Sequence, residues 1–168
     1  MKSLAVAALL ALATAPLAAW AQEDVQASPA CRHCGMDREK FASSRMVIEY
    51  DDGSAVGTCS LHCAAIDLAV TLDKGPAAIK VADMGSKALV DAEKATWVLG
   101  GSRGGVMTRR AKWAFAERAA AEAFAREVGG TVATFEEAMK AAYEDLYLDT
   151  RMIREKRRAM RQRQHQAH

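Results

Sequence analysis

The chain has 168 residues and a formal net charge of +2. That length holds one domain, or two small subdomains around a shared core, and the near-balanced charge argues against a nucleic-acid binder. The balance is uneven along the chain: residues 151–168 carry seven Arg or Lys against one Glu, which leaves the remainder mildly acidic.

The N-terminus opens with Met1-Lys2, continues as an Ala- and Leu-rich apolar run over residues 4–18, and reaches small residues at Ala19-Trp20-Ala21. This is the order of a cleavable secretory signal over 1–21, with a mature chain from Gln22. The run is short for a membrane span. Cys31 follows it only after a polar stretch, which argues against lipidation there. Residues 22–30 read as a linker. Export to the periplasm permits disulfides, so four cysteines are open to being two staples.

Next comes Cys31-Arg32-His33-Cys34-Gly35-Met36, which gathers two thiols, an imidazole and a thioether. Residues 45–50 are strand-like in their Val, Ile and Tyr, and Asp51-Asp52-Gly53-Ser54 signals a turn into a second strand over 55–59. Ser60 is placed to cap a helix whose apolar face is Leu61, Ala64, Ala65, Leu68 and Leu72. That helix stops at Lys74-Gly75-Pro76, and a third strand follows over 78–81. The pattern then repeats: strands over 95–99 and 112–115 flank a Gly-rich loop (100–107), an Ala-rich helix ends at Gly129-Gly130, and a strand closes at 131–135.

Each half thus reads strand, strand, helix, strand. The predicted fold is α+β, two tandem ββαβ units over 31–86 and 87–135, followed by a long C-terminal helix and basic tail over 136–168. Met139, Tyr143, Leu146, Tyr147 and Ile153 form the apolar stripe of that helix, and 162–168 are expected to fray.

Cys59-Ser60-Leu61-His62-Cys63 supplies a second thiol pair about twenty-five residues after Cys34. Four readings are open. A thioredoxin-like redox pair needs a strand before the first thiol and a helix opening at it, and Cys31 has a polar linker before it. Four cysteines at these spacings suit a closed, treble-clef-like zinc knuckle. Two disulfides are the third reading. The fourth is an open transfer site for Cu(I), which accepts thioether as well as thiolate. Met36 favours this last, because it sits in a glycine loop beside a thiol rather than on an apolar face. Met84, in Asp83-Met84-Gly85, and Met107, at the end of the Gly-rich loop, have comparable settings. His33 and His62 lie inside the thiol pairs, where an imidazole can be a third ligand, support a ligand by hydrogen bonding, or face solvent.

Several stretches resemble the NosL family of copper chaperones that serve nitrous-oxide reductase. They are Cys34-Gly35-Met36, Ile79-Lys80-Val81-Ala82-Asp83-Met84-Gly85, Val90-Asp91-Ala92-Glu93-Lys94-Ala95, the loop over 100–107 and the helix over 119–130. The resemblance implies a pair of ββαβ units, Cu(I) held by soft ligands, and delivery to a periplasmic reductase with help from membrane copper transport components. It carries the ligand role to Cys34 and Met36 first, with Met84 and Met107 as further candidates. Two features depart from the family: the lipidated cysteine is missing, and the Cys59–Cys63 pair looks knuckle-like. They leave room for Cys31, Cys59 and Cys63 to contribute. No enzymatic nucleophile–base or carboxylate pair stands out. The basic tail reads first as a solvated helix end, with contact to an anionic membrane surface or an acidic partner as its functional alternative.

Overall fold

The computed structural model of the chain describes residues 23–166, so the expected signal segment and His168 lie outside the described residues. The elements run α1 (Glu23–Ala27), β1 (Met46–Tyr50), β2 (Ala55–Thr58), α2 (Leu61–Val70), β3 (Pro76–Ala82), β4 (Leu89–Asp91), β5 (Thr96–Leu99), β6 (Lys112–Phe115), α3 (Arg118–Val128), β7 (Thr131–Ala133) and α4 (Phe135–Gln166). Two antiparallel sheets form, ordered β2-β1-β3-β4 and β6-β5-β7. In each, the first strand of the unit lies centrally, with its hairpin partner on one side and the strand after the helix on the other. The expected duplication is therefore present in topology as well as in element order.

Strand alternation sorts the side chains into two cores. From β1, Met46, Ile48 and Tyr50 face Leu61, Ala64 and Ala65 of α2, and this core also takes Trp97 and Ala114 from the second sheet. The opposite face of that sheet sends Val98, Trp113 and Phe115 against Ala121, Phe124 and Ala125 of α3. The first core is thus common to both units, and α4 closes it with Phe135, Ala138 and Ala142. The Trp97 and Phe135 rings are 6.0 Å apart, and the indole N–H donates to the Ala92 carbonyl at 3.0 Å.

Asp83-Met84-Gly85 stitches the units together. Asp83 Oδ1 accepts from the Gly85 and Ser86 amides, and Oδ2 accepts from Ala116 N–H at 2.9 Å. Burial works against the charged carboxylate, but these N–H donors hold Asp83 below its ordinary range. The Met84 amide donates to the Ala114 carbonyl of β6 at 2.8 Å.

Several expectations are corrected. The segment read as a linker forms α1, with Val25 buried, because Asp24 accepts from two buried arginines: Arg38 Nη2 at 2.8 Å and Arg45 Nε at 2.9 Å. Arg38 is wholly buried and also donates to the carbonyls of Ser28, Met46 and Thr58. It lies flat over Gly57, where a Cβ would come within 2.6 Å of the guanidinium carbon. The short strand β4 was not foreseen; it extends the first sheet by pairing with β3. Ser60 occupies the N-cap of α2 without a side-chain cap bond, and Leu72, beyond the end of that helix, is 86% exposed.

Phe135 opens α4 instead of closing β7, and α4 remains helical to Gln166 where fraying from 162 was expected. The buried face of α4 is Ala138, Ala141, Ala142 and Asp149, while Tyr147 is 74% exposed. Small residues let α4 approach α2 and β5 closely; of the expected stripe, Met139 packs at the edge of the core, Leu146 and Ile153 are half-buried, and Tyr143 and Tyr147 are exposed.

Arg38→Ala is expected to destabilise the fold by about 3–5 kcal/mol, because it leaves Asp24 and several carbonyls buried without their donor. Chemical denaturation of the wild type and variant measures the difference.

Candidate metal centre

The loop carrying the first thiol pair is a tight hairpin. Cys31 N–H donates to the Met36 carbonyl at 2.8 Å, and Gly35 N–H donates to the Cys31 carbonyl at 2.9 Å. Gly35 has φ +73°, a left-handed conformation that costs glycine little. An Ala30–Asp37 bridge closes the base, and Arg38 anchors the turn that leaves it. Arg32 N–H donates to the Gly57 carbonyl at 3.1 Å, fixing the loop against the end of the β1–β2 hairpin. Cys59 then leaves β2, and Cys63 stands in the first turn of α2.

These elements bring Cys31, Cys34, Cys59 and Cys63 together, with all four Sγ atoms within 4.8 Å of one another. Cys34 and Cys59 are 3.5 Å apart, Cys59 and Cys63 3.8 Å, and all four are free thiols. Cys31, Cys59 and Cys63 are buried, whereas Cys34 is half-buried at the open side. The knuckle, hairpin and helix N-terminus are the parts that the treble-clef reading requires. The thioredoxin context is missing, since Cys31 and Cys34 lie in a hairpin loop and not at the start of a helix.

Four touching thiols cannot all ionise without a cation. Hydrogen bonds from Cys34, Cys59 and Cys63 hold the Cys31 thiol far below its ordinary range. Contact with Cys31 pushes Cys34 up, but Cys59 and Cys63 outweigh it and bring Cys34 down to about 7. Contacts with Cys31 and Cys34 push Cys59 and Cys63 well up. Cys31 is thus the thiol most easily ionised and Cys59 and Cys63 the least, and a cation held among them would have to displace their protons.

The methionines divide. Met36 and Met107 pack against the sulfur cluster together with Phe41 and Val106. Met84 does not; it packs on the second core beside Trp113 and Phe115, and its motif serves the stitch between units. The Gly-rich loop delivers Met107 from the second unit to the cysteines of the first. Met107 itself has φ +61°, a conformation rare for a side chain of that kind and suited to sites where neighbours fix it.

His33 is engaged by a carboxylate, its Nε2 2.6 Å from Asp67 Oδ1, and Asp67 Oδ2 accepts from the Tyr50 hydroxyl. Burial and this bond to Asp67 push Tyr50 up to about 12. The chain His33–Asp67–Tyr50 thus braces the loop against the core. His62 is buried, and burial lowers its basicity. Its Nδ1 lies 3.6 Å from Asp149 Oδ2 of α4.

Neither Asp67 nor Asp149 was singled out from sequence. The available signal was a carboxylate on an otherwise buried helical face, and for Asp67 its position four residues after Cys63. Further contacts bind α4 to this side. Asp149 Oδ1 accepts from Arg109 N–H at 3.0 Å, Asp145 pairs with Arg110 and Lys112, and Arg157 Nη2 donates to the Cys34 carbonyl at 2.8 Å.

A duplicated ββαβ scaffold with four convergent cysteine sulfurs, three of them buried, defines a protein whose thiol cluster could hold a metal ion. A sequence model of the NosL family matches residues 22–143, and the chain belongs to that family. Its fold is similar to the crystal structure of the copper chaperone NosL from Shewanella denitrificans, with a TM-score of 0.53 and 22% identity over 66% of this chain and 89% of that one. Among curated proteins, none matches the chain in sequence.

Metal loading is expected to strengthen as pH rises, by about tenfold per pH unit for each proton the cluster releases. The sign follows from the raised Cys59 and Cys63, which must give up protons to bind. Competition with a chelator between pH 6 and 8 checks it, and an affinity independent of pH would contradict the cluster's protonation.

Proposed function

We propose that this protein is a periplasmic copper chaperone that carries one Cu(I) on its sulfur cluster and passes it to a copper enzyme, with nitrous-oxide reductase the leading candidate. The observation that carries the reading is the adjacency of two thioethers, Met36 and Met107, to four convergent thiols. Zinc gains nothing from thioether, whereas Cu(I) binds it readily. Binding replaces S–H protons with an S–Cu bond and leaves the copper oxidation state unchanged. Release runs by ligand exchange through half-buried Cys34, the thiol an incoming donor reaches first. Delivery then passes to a copper-accepting reductase or a membrane copper transport complex, and the basic end of α4 suits contact with an anionic surface.

Family membership and the fold shared with the Shewanella copper chaperone support the same reading. Export through the apolar N-terminal segment fits a periplasmic acceptor.

A second reading has its own support. Four thiols this close also fit a closed zinc site. Against it, two aromatic-rich cores hold the fold independently of the sulfurs, whereas a zinc knuckle derives its fold from the metal.

Loading reduced protein with Cu(I) or zinc separates the two. Met36→Ala is expected to weaken Cu(I) binding by about tenfold or more, roughly 1.4 kcal/mol, with zinc affinity unchanged and the metal-free fold intact by circular dichroism. Equal Cu(I) affinity in wild type and variant, or unfolding on metal removal, would count against the copper assignment.

A further inference from the structure

Between the sulfur cluster and the distal part of α4 runs a groove of about 430 Å³. Met36 and Met107 form its inner side, and Met152 and Met160 of α4 form its outer wall, with Lys156 and Arg157 at the rim. Four of the chain's eight methionines therefore line one groove. Met152, Lys156 and Met160 recur every four residues, which places them on one helical face.

Packing does not account for Met160, the exposed member of the outer pair, whose partner Met152 is half-buried. A methionine that fills a core gap is buried, but Met160 is 53% exposed and has arginines at 157, 158 and 161 around it. The NosL match ends at residue 143, so both outer methionines lie on an extension the family match does not reach. That extension is held in place. The Arg110–Asp145 and Lys112–Asp145 pairs fix α4 beside the Met107 loop, and Arg157 donates to the Cys34 carbonyl at the edge of the sulfur loop.

We infer that this groove is a second, outer soft-metal site, in which Met152 and Met160 join Met36 and Met107 to hold Cu(I) through thioether sulfur on its way into or out of the thiolate cluster. The inference rests on the copper reading above.

Thioether ligands are neutral and need no deprotonation, so the outer site takes the ion without releasing a proton. Lys156 and Arg157 disfavour a resting cation there, while the thiolates within favour it. The two sites therefore form a gradient, weaker outside and stronger inside, as transit requires. No electrons move: Cu(I) remains Cu(I) and exchanges one sulfur for another.

The test titrates reduced full-length protein carrying [methyl-13C]methionine with Ag(I), a redox-inert analogue of Cu(I). Thiolate-to-metal absorbance follows the inner site, and the methyl signals, assigned by single Met→Leu variants, follow the groove. In the wild type, the Met152 and Met160 signals are expected to shift and saturate with a second equivalent bound about tenfold or more weaker than the first. In the Met152→Leu/Met160→Leu variant, the first equivalent should bind unchanged and the second should be lost. Leucine preserves the apolar volume, and an unchanged circular dichroism spectrum confirms that α4 persists.

Met152 and Met160 signals unmoved at every ratio, or a second equivalent bound as tightly by the double variant, would overturn the outer site and leave the inner one standing. Absence of thiolate-to-metal absorbance with the methyl shifts intact would instead overturn the inner-site reading.

Discussion

Four sulfur atoms that approach one another this closely set the terms for the rest of the molecule. Thiols in mutual contact can share one negative charge among them, but further ionisation needs a positive partner. Holding them there is costly unless each is fixed by something independent of a metal. Here Cys31 and Cys34 hang from a hairpin anchored by Arg38, and Cys59 and Cys63 sit at the junction of β2 and α2. Both anchors belong to the first unit, whose core is packed by apolar contacts that the sulfurs do not share. The cluster is thus mounted on an apolar core that the sulfurs do not themselves form.

The second unit repeats the topology without repeating the chemistry. Where β2 and α2 carry thiols, the corresponding β6–α3 junction carries Ala116 and Glu117, and Ala116 N–H serves the Asp83 stitch. The second unit reaches the centre through its Gly-rich loop, which carries Val106 and Met107 to the sulfurs. In front of that loop lies α4, tied down by Asp145 and Asp149. One unit holds the thiols; the other unit and the helix shape their surroundings.

Much of this was legible in the sequence because the deciding forces are local. Asp51-Asp52-Gly53-Ser54 makes its hairpin because Gly53 takes φ +81° and Asp52 accepts from the Ser54 amide. Gly129 ends α3 in the left-handed conformation expected of it. The thiol spacings foretold a cluster, since a knuckle and a helix start place ligands predictably. What was not legible depends on distant partners. The α1 segment is ordered by Asp24 reaching Arg38 and Arg45, which no local pattern reveals. Most of the buried face of α4 is alanine because α2 approaches closely, so a search for large apolar residues found its edge (Met139, Leu146, Ile153) and its outward side (Tyr143, Tyr147). Met84 beside Gly85 and Met107 at the end of a Gly-rich loop look alike in sequence, yet one enters a core and the other meets the thiols. Only the path of the chain separates them.

The unpaired state of the cysteines has one more implication. Neighbouring thiols separated by under 4 Å need only lose two electrons and two protons to an oxidant to become a disulfide. In an oxidising compartment, metal occupancy and cross-linking thus compete for the same sulfur lone pairs. Half-buried Cys34 is the most accessible entry for an oxidant, and Arg157 of α4 stands over its backbone carbonyl. Such a carrier depends on being charged promptly after it folds, or on a reductant that keeps it receptive.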